Sequence, residues 1–276
     1  MKQLFIIKAD GSKTRFSYKK LLKSIQKSGA SADAADRIAR QVLRELPNEF
    51  TSNMLFDLIH RQLKQTNRQV AQIYSLRRAL ADIPPDIWEK YIAKLFEYYG
   101  YQTKWNVIIP GASVEHQVDV IVTKDKKTWL IECKHHYEYH RDTGLGEILQ
   151  VQARLEDVRD GFKKNKNKYD FFGAWLVTNT RFSDHNKRYA DAKKINLTGW
   201  QYPEQYSLER LIQDRAIYPV TILYTDKKTK NTLLYNNILT IQDLEKMPPQ
   251  LKKILGGKLK GLNKQAADLM EYDWQI

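Results

Sequence analysis

The stretch from Glu115 to His136, EHQVDVIVTKDKKTWLIECKHH, constrains this chain more than any other. Apolar and polar residues alternate on both sides of a polar turn at 123–127, which is the period of two short strands and not of a helix. On the first strand Val118, Val120 and Val122 are expected on one face, with Gln117, Asp119 and Ile121 on the other. On the second, Glu132 and Lys134 share a face opposite Ile131 and Cys133. Paired as a hairpin, the strands bring Asp119 beside Glu132 and Lys134. Two carboxylates and an ammonium in one small volume suit cleavage of a phosphodiester. The carboxylates are hard ligands for Mg²⁺, which neutralises developing charge and lowers the pKa of a bound water, and the lysine can orient that water or stabilise the pentacovalent phosphate. A hairpin that merely carries charge on its solvent face would show the same short pattern, so the surrounding chain has to separate the two.

The chain has 276 residues, of which 42% are hydrophobic and 28% charged, a composition that suits two globular domains. No run approaches the roughly 20 apolar residues of a membrane span, and MKQLFIIKADG lacks the long apolar region of a signal peptide, so a cytoplasmic protein without a membrane partner is expected. The single cysteine, Cys133, cannot form an internal disulfide, in keeping with a reducing compartment. The net charge of +14 points to polyanionic partners. Residues 1–85 hold 16 Lys and Arg against 7 Asp and Glu, so the smaller part of the chain carries most of the excess.

Within that basic part, residues 4–7 read as a strand, Asp10-Gly11 as a hairpin turn and residues 13–16 as the returning strand. Helical spacing follows at 18–28, at 34–46 with Ala35, Ile38, Val42 and Leu46, at a helix capped by Thr51 or Ser52 with Leu55, Leu58, Ile59 and Leu63, and at 67–81. This predicts a small β cap over a four-helix bundle. Pro84-Pro85 marks the expected domain boundary, because neither proline suits a helix interior.

After it come an amphipathic helix at 86–99, a strand at 102–109, the organising hairpin, a helix at 145–164 and an apolar strand at 171–178. Gln150 and Gln152 lie near the start of that second helix. The tail reads as a hairpin, 220–225 with 232–235, followed by helical sequence from 241 interrupted by Gly256-Gly257 and Gly261. Its lysine-rich KKILGGKLKGLNK suits DNA phosphates or a docking face equally. Cys133, His135, His136 and His140 do not make a zinc site, since Cys133 and His135 lie on the strand face opposite His136 and the usual paired spacing is absent.

Residues 1–83 resemble the ATP-cone, a regulatory nucleotide-binding module, through IIKADG, Lys20 at the opening of the first helix, Thr51-Ser52 and AQIYSLRR. The resemblance implies ATP or dATP as a regulatory ligand, with Lys8 and Lys20 on the triphosphate, Ile7 on the base and Thr51 as a polar contact. Ala9 stands where the family usually has arginine. Residues 84–215 resemble the Mrr-like branch of the PD-(D/E)XK nucleases, with Val118-Asp119 for the usual Pro-Asp, then Glu132-x-Lys134. Thr178, Phe182, Ser183, Ile195, Leu197 and Gly199 follow the layout of that branch.

The implied fold is mixed α/β (α+β): the helical bundle with its β cap, then an αβββαβ restriction-endonuclease-like core around a mixed sheet, then an extension at 216–276. The implied catalytic residues are Asp119, Glu132, Lys134 and Gln150, with Asp119, Glu132 and Glu89 towards Mg²⁺. The implied activity is a DNA endonuclease of type IV restriction or repair kind, gated by nucleotide and able to form a homo-oligomer. The rival is a nucleotide-responsive DNA-binding protein that keeps the fold without cutting.

Overall fold

The computed structural model describes residues 4–7 and 11–272, in two compact units: 1–76 with 260–276, and 77–259. In the first, β1 (Phe5–Ile7) pairs antiparallel with β2 (Lys13–Arg15). Helices α1 (Tyr18–Gln26) and α2 (Ala32–Glu45) follow, and β3 (Glu49–Thr51), which the sequence did not announce, joins β1 in parallel. Then come α3 (Ser52–Thr66) and α4 (Arg68–Tyr74). Ser17, Ser31, Thr51 and Asn67 each accept a backbone N–H of the helix they precede, which satisfies donors the helix itself cannot. Leu21, Ile25, Ile38, Val42, Leu46, Ile59 and Leu63 form the core. The single helix expected at 67–81 is two. Ser75 ends α4, its hydroxyl bonding the Gln72 carbonyl at 2.7 Å in competition with the backbone, and α5 (Leu76–Ala81) starts afresh.

In the second unit the Pro84-Pro85 pair starts a helix. Pro84 caps α6 (Pro85–Tyr98) and Pro85 opens it, where a missing N–H costs nothing. The strands are β4 (Gln102–Pro110), β5 (Glu115–Lys124), β6 (Lys127–Lys134) and the short β7 (Asp142–Thr143). Beyond α7 (Leu145–Lys163) come β8 (Phe171–Thr178), β9 (Arg181–Phe182), α8 (Asp184–Lys193) and β10 (Asn196–Thr198). The main sheet has the order β10-β8-β6-β5-β4, parallel from β10 to β6 and antiparallel from there to β4. The two faces are covered by different helices. Ile121, Leu130, Ala174 and Leu176 pack with Ile148, Val151, Leu155 and Val158 of α7. On the alternate positions Trp175 meets Phe96 of α6, ring centroids 4.8 Å apart. Trp88, Tyr91, Ile92 and Leu95 of α6 are fully buried, at roughly 1.5–3 kcal/mol for each large apolar side chain removed from water.

A two-residue turn sets the register of the central hairpin. Asp125 and Lys126 both take positive φ, 50° and 61°, the twist that closes a tight hairpin, and Lys124 therefore pairs with Lys127 and Val120 with Ile131. One face assignment fails. Val118 packs with Ile121 and Leu130, not with Val120 and Val122, so the alternation slips within β5, at the level where Asn106 of β4 takes a left-handed φ of 53°.

The tail departs most from expectation. Residues 220–222 make a 3₁₀ turn and 227–235 a helix, α10 (Lys227–Tyr235), in place of both expected strands, and Asp226 caps that helix by accepting the Thr229 N–H at 2.9 Å. After α9 (Leu208–Gln213), residues 217–243 pack on α6 through Tyr91 Oη to the Ile217 carbonyl at 2.8 Å and an ion pair of Lys94 with Asp243. The helical reading of the end holds as α11 (Pro249–Leu255) and α12 (Lys258–Met270). The end of the chain belongs to the first unit. Gln265 accepts from Gln72 at 3.1 Å and Tyr272 donates to the Gly29 carbonyl at 2.8 Å.

Candidate active site

The β5–β6 ladder ends at Val120–Ile131, and one step beyond it Asp119 and Glu132 face each other across the two strands. Asp119 Oδ2 accepts the Cys133 N–H at 2.7 Å, so the side chain continues the ladder where the backbone stops. Glu132 is 3% exposed. Its Oε1 receives Lys134 Nζ at 2.7 Å and its Oε2 receives the guanidinium of Arg154, from α7. These groups lie at the carboxyl end of β6, beside the end of β8, where Lys134 pairs with Thr178. Open α/β sheets place their ligands at such strand ends.

Electrostatics bind the cluster together. Burial, and then the charge of Glu132, push the Asp119 carboxyl up to about 7. Burial, again followed by Glu132, raises Glu89 on α6. Among the described residues Asp119 has no ion-pair partner, so a cation brought beside it would relieve an existing repulsion. The donor set is two carboxylates with a third in electrostatic reach, all hard oxygen, which fits a divalent cation of the Mg²⁺ kind. Among the described residues no three His, Cys, Asp or Glu side chains form a ready-made metal cage.

The polar groups behind the site hold the strand ends. His135 contacts the Leu80 carbonyl at 3.0 Å through Nε2 and packs its ring on Trp88, while Asn179 brackets the main chain of His136, accepting from its N–H at 2.9 Å and donating to its carbonyl at 2.8 Å. Thr143, Thr178 and Thr180 are buried and join by their hydroxyls at 2.8–3.1 Å. The side chain of His135 and the main chain of His136 are thus held in structural contacts. At the other end of α7, Asp157 anchors the β4–β5 turn through the Ser113 N–H at 2.9 Å, the Val114 N–H at 3.3 Å and His116 at 2.8 Å.

Of the residues the sequence singled out, the structure gathers Asp119, Glu132 and Lys134, with Glu89 in their field. Gln150 is exposed, and the α7 side chain that reaches the carboxylates is Arg154, one turn later on the same stripe. The signal for it was a charged residue between the buried Val151 and Leu155, and it went unread. In the first unit Ile7 and Thr51 are partners in the β1–β3 ladder, and Thr51 and Lys20 are exposed. Lys8 and Asp10 lie outside the described residues.

A family model described as restriction endonuclease matches residues 80–201, and one described as ATP cone domain matches residues 4–83. An uncharacterized protein of Archaeoglobus fulgidus is 38% identical over 153 residues, covering 55% of this chain and 83% of its own. The chain thus carries a restriction endonuclease domain at 80–201 behind an ATP cone domain at 4–83. A crystal structure titled as a protein of unknown function aligns with 67% of this chain and 95% of its own, at 33% identity and a TM-score of 0.55. The nuclease match begins within α5, before the proline pair, and the cone match ends at Ile83. No helix among the described residues is long and apolar enough to cross a membrane.

Proposed function

We propose that the chain is a Mg²⁺-dependent endodeoxyribonuclease, of type IV restriction or repair kind, whose cutting responds to ATP or dATP on the cone. The juxtaposition of Asp119, Glu132 and Lys134 at the strand ends carries this reading. Asp119 and Glu132 would hold the cation, with Glu89 as an outer contributor. A cation so held supplies an activated water and neutralises charge on the scissile phosphate. Lys134, paired with Glu132, would orient the attacking water or stabilise the phosphate. Gln150, exposed on the same stripe of α7, would contact the substrate. The family match supports DNA as substrate, and the net charge of +14 agrees with it.

On the cone, Ile7 would pack on the base, Thr51 would contact the nucleotide, and Lys8 and Lys20 would bind the triphosphate as point charges. A homo-oligomer that changes with nucleotide is the expected route of regulation, and the cytoplasm the expected compartment.

Cleavage of supercoiled plasmid, methylated and unmethylated, tests this with Mg²⁺ against EDTA, with and without nucleotide. Metal-dependent cutting that Glu132→Ala lacks, while still binding DNA, is the expected result. DNA bound but never cut would identify a binding protein instead.

A further inference from the structure

Both oxygens of Glu132 are occupied by side-chain cations, and the two cations differ. Lys134 comes from the same strand, two residues on, and its side chain is 31% exposed. Arg154 arrives from another element, α7, with its side chain 23% exposed. A guanidinium and a divalent cation compete for the same carboxylate lone pairs, and a planar fork that fits a carboxylate also fits a phosphate. A buried carboxylate beside two others needs a counter-ion whenever no metal is present.

We propose that Arg154 is the stand-in for the metal: it neutralises Glu132 at Oε2 in the metal-free protein and, displaced by the incoming cation, binds a non-bridging oxygen of the DNA phosphate. This rests on Asp119 and Glu132 being the metal ligands. It goes beyond that reading by giving the site two charge-balanced states, one with arginine on the carboxylate and one with arginine on the substrate. The arrangement opposes metal binding without DNA, since the cation has to displace a seated guanidinium. It favours metal and DNA together, because DNA gives that guanidinium somewhere to go.

The sign of one measurement separates this role from simple orientation of Glu132. Removing Arg154 leaves the carboxylates with Lys134 alone, so a competitor for the cation is gone and the local charge is more negative. Mn²⁺ is titrated calorimetrically into the full chain without DNA, comparing wild type with Arg154→Ala, Arg154→Gln and Glu132→Ala. A short duplex is then titrated in Ca²⁺. Both Arg154 variants should bind Mn²⁺ tighter, by roughly fivefold for one nearby charge, and should bind the duplex more weakly with a salt slope reduced by about one. Arg154→Gln keeps hydrogen bonding to Glu132, so it stands in if the alanine variant does not fold. Metal affinity that is unchanged or weaker in the folded Arg154 variants overturns the proposal, as does unchanged duplex affinity. If Glu132→Ala binds Mn²⁺ as wild type does, the metal-site assignment itself fails. Loss of binding in Glu132→Ala with no gain in the Arg154 variants sinks only the role given to Arg154.

Discussion

Replacing Asp119 with asparagine should stabilise the metal-free protein, and only above acid pH. Asparagine retains an oxygen to accept the Cys133 N–H, so the ladder contact survives while the charge is lost. In the folded chain the Asp119 carboxyl sits at about 7, raised first by burial and then by Glu132; unfolded, it titrates near 3.9. Between those values the folded state binds a proton that the unfolded state has released, so stability falls as pH rises through this window and levels off above it. A shift of about three units corresponds to roughly 4 kcal/mol at most. Partial solvent access and the sharing of charge with Glu132 reduce it, and about 2 kcal/mol is the working expectation.

For a chain of this size that is a rise in Tm of roughly 4–8 °C. The assay is thermal unfolding in EDTA across pH 4 to 8, wild type against Asp119→Asn. The variant should melt higher at pH 8 and almost together with wild type at pH 4. Added Mg²⁺ should raise wild type and leave the variant behind, since binding to the folded state alone stabilises it. A gap of the same size at both pH values, or a metal-free wild type more stable than the variant at pH 8, would refute the reasoning.

Asp157→Ala should lower Tm at neutral pH, and the loss should shrink as pH falls below about 4, where the unfolded carboxyl protonates. Hydrogen bonds from His116, Ser113 and Val114 hold that carboxyl well below the usual range, so a pH-independent loss would contradict the assigned cause. Gly161→Ala should destabilise by about 1–3 kcal/mol, as overpacking does, because the added Cβ would lie 2.7 Å from the Pro110 oxygen and the Gly111 carbonyl carbon, both backbone. Wild-type stability in denaturant titrations of that variant would show that α7 can draw back. Lys8→Ala with Lys20→Ala should weaken ATP binding while the cone stays folded, and unchanged titration heats would remove the lysines from the nucleotide site.

Local signals carried far in this chain. The alternation of 115–134 gave the hairpin, and the turn residues between its strands gave the register that sets Asp119 opposite Glu132. Thr51, one of the two caps the sequence offered, starts α3, and Ser17, Asn67 and Ser183 cap α1, α4 and α8 in the same way. Three features were not legible in this way. The 232–235 segment alternates like a strand yet lies in a helix that Asp226 caps. Val118 joins the α7 side of the sheet against the simple alternation, and β3 formed on the open edge of β1.

The sequence by itself determined the periods, the caps, the turns and therefore the pairing of two carboxylates with a lysine, because each depends on residues close in the chain. Tertiary structure alone decided that Arg154 of α7, and not Gln150, would meet Glu132, and that 217–243 would lie on α6 while Tyr272 returned to Gly29. Those contacts join residues far apart in the chain. Only the packing of helix on sheet and helix on helix fixes which side chains meet, and no local period encodes it.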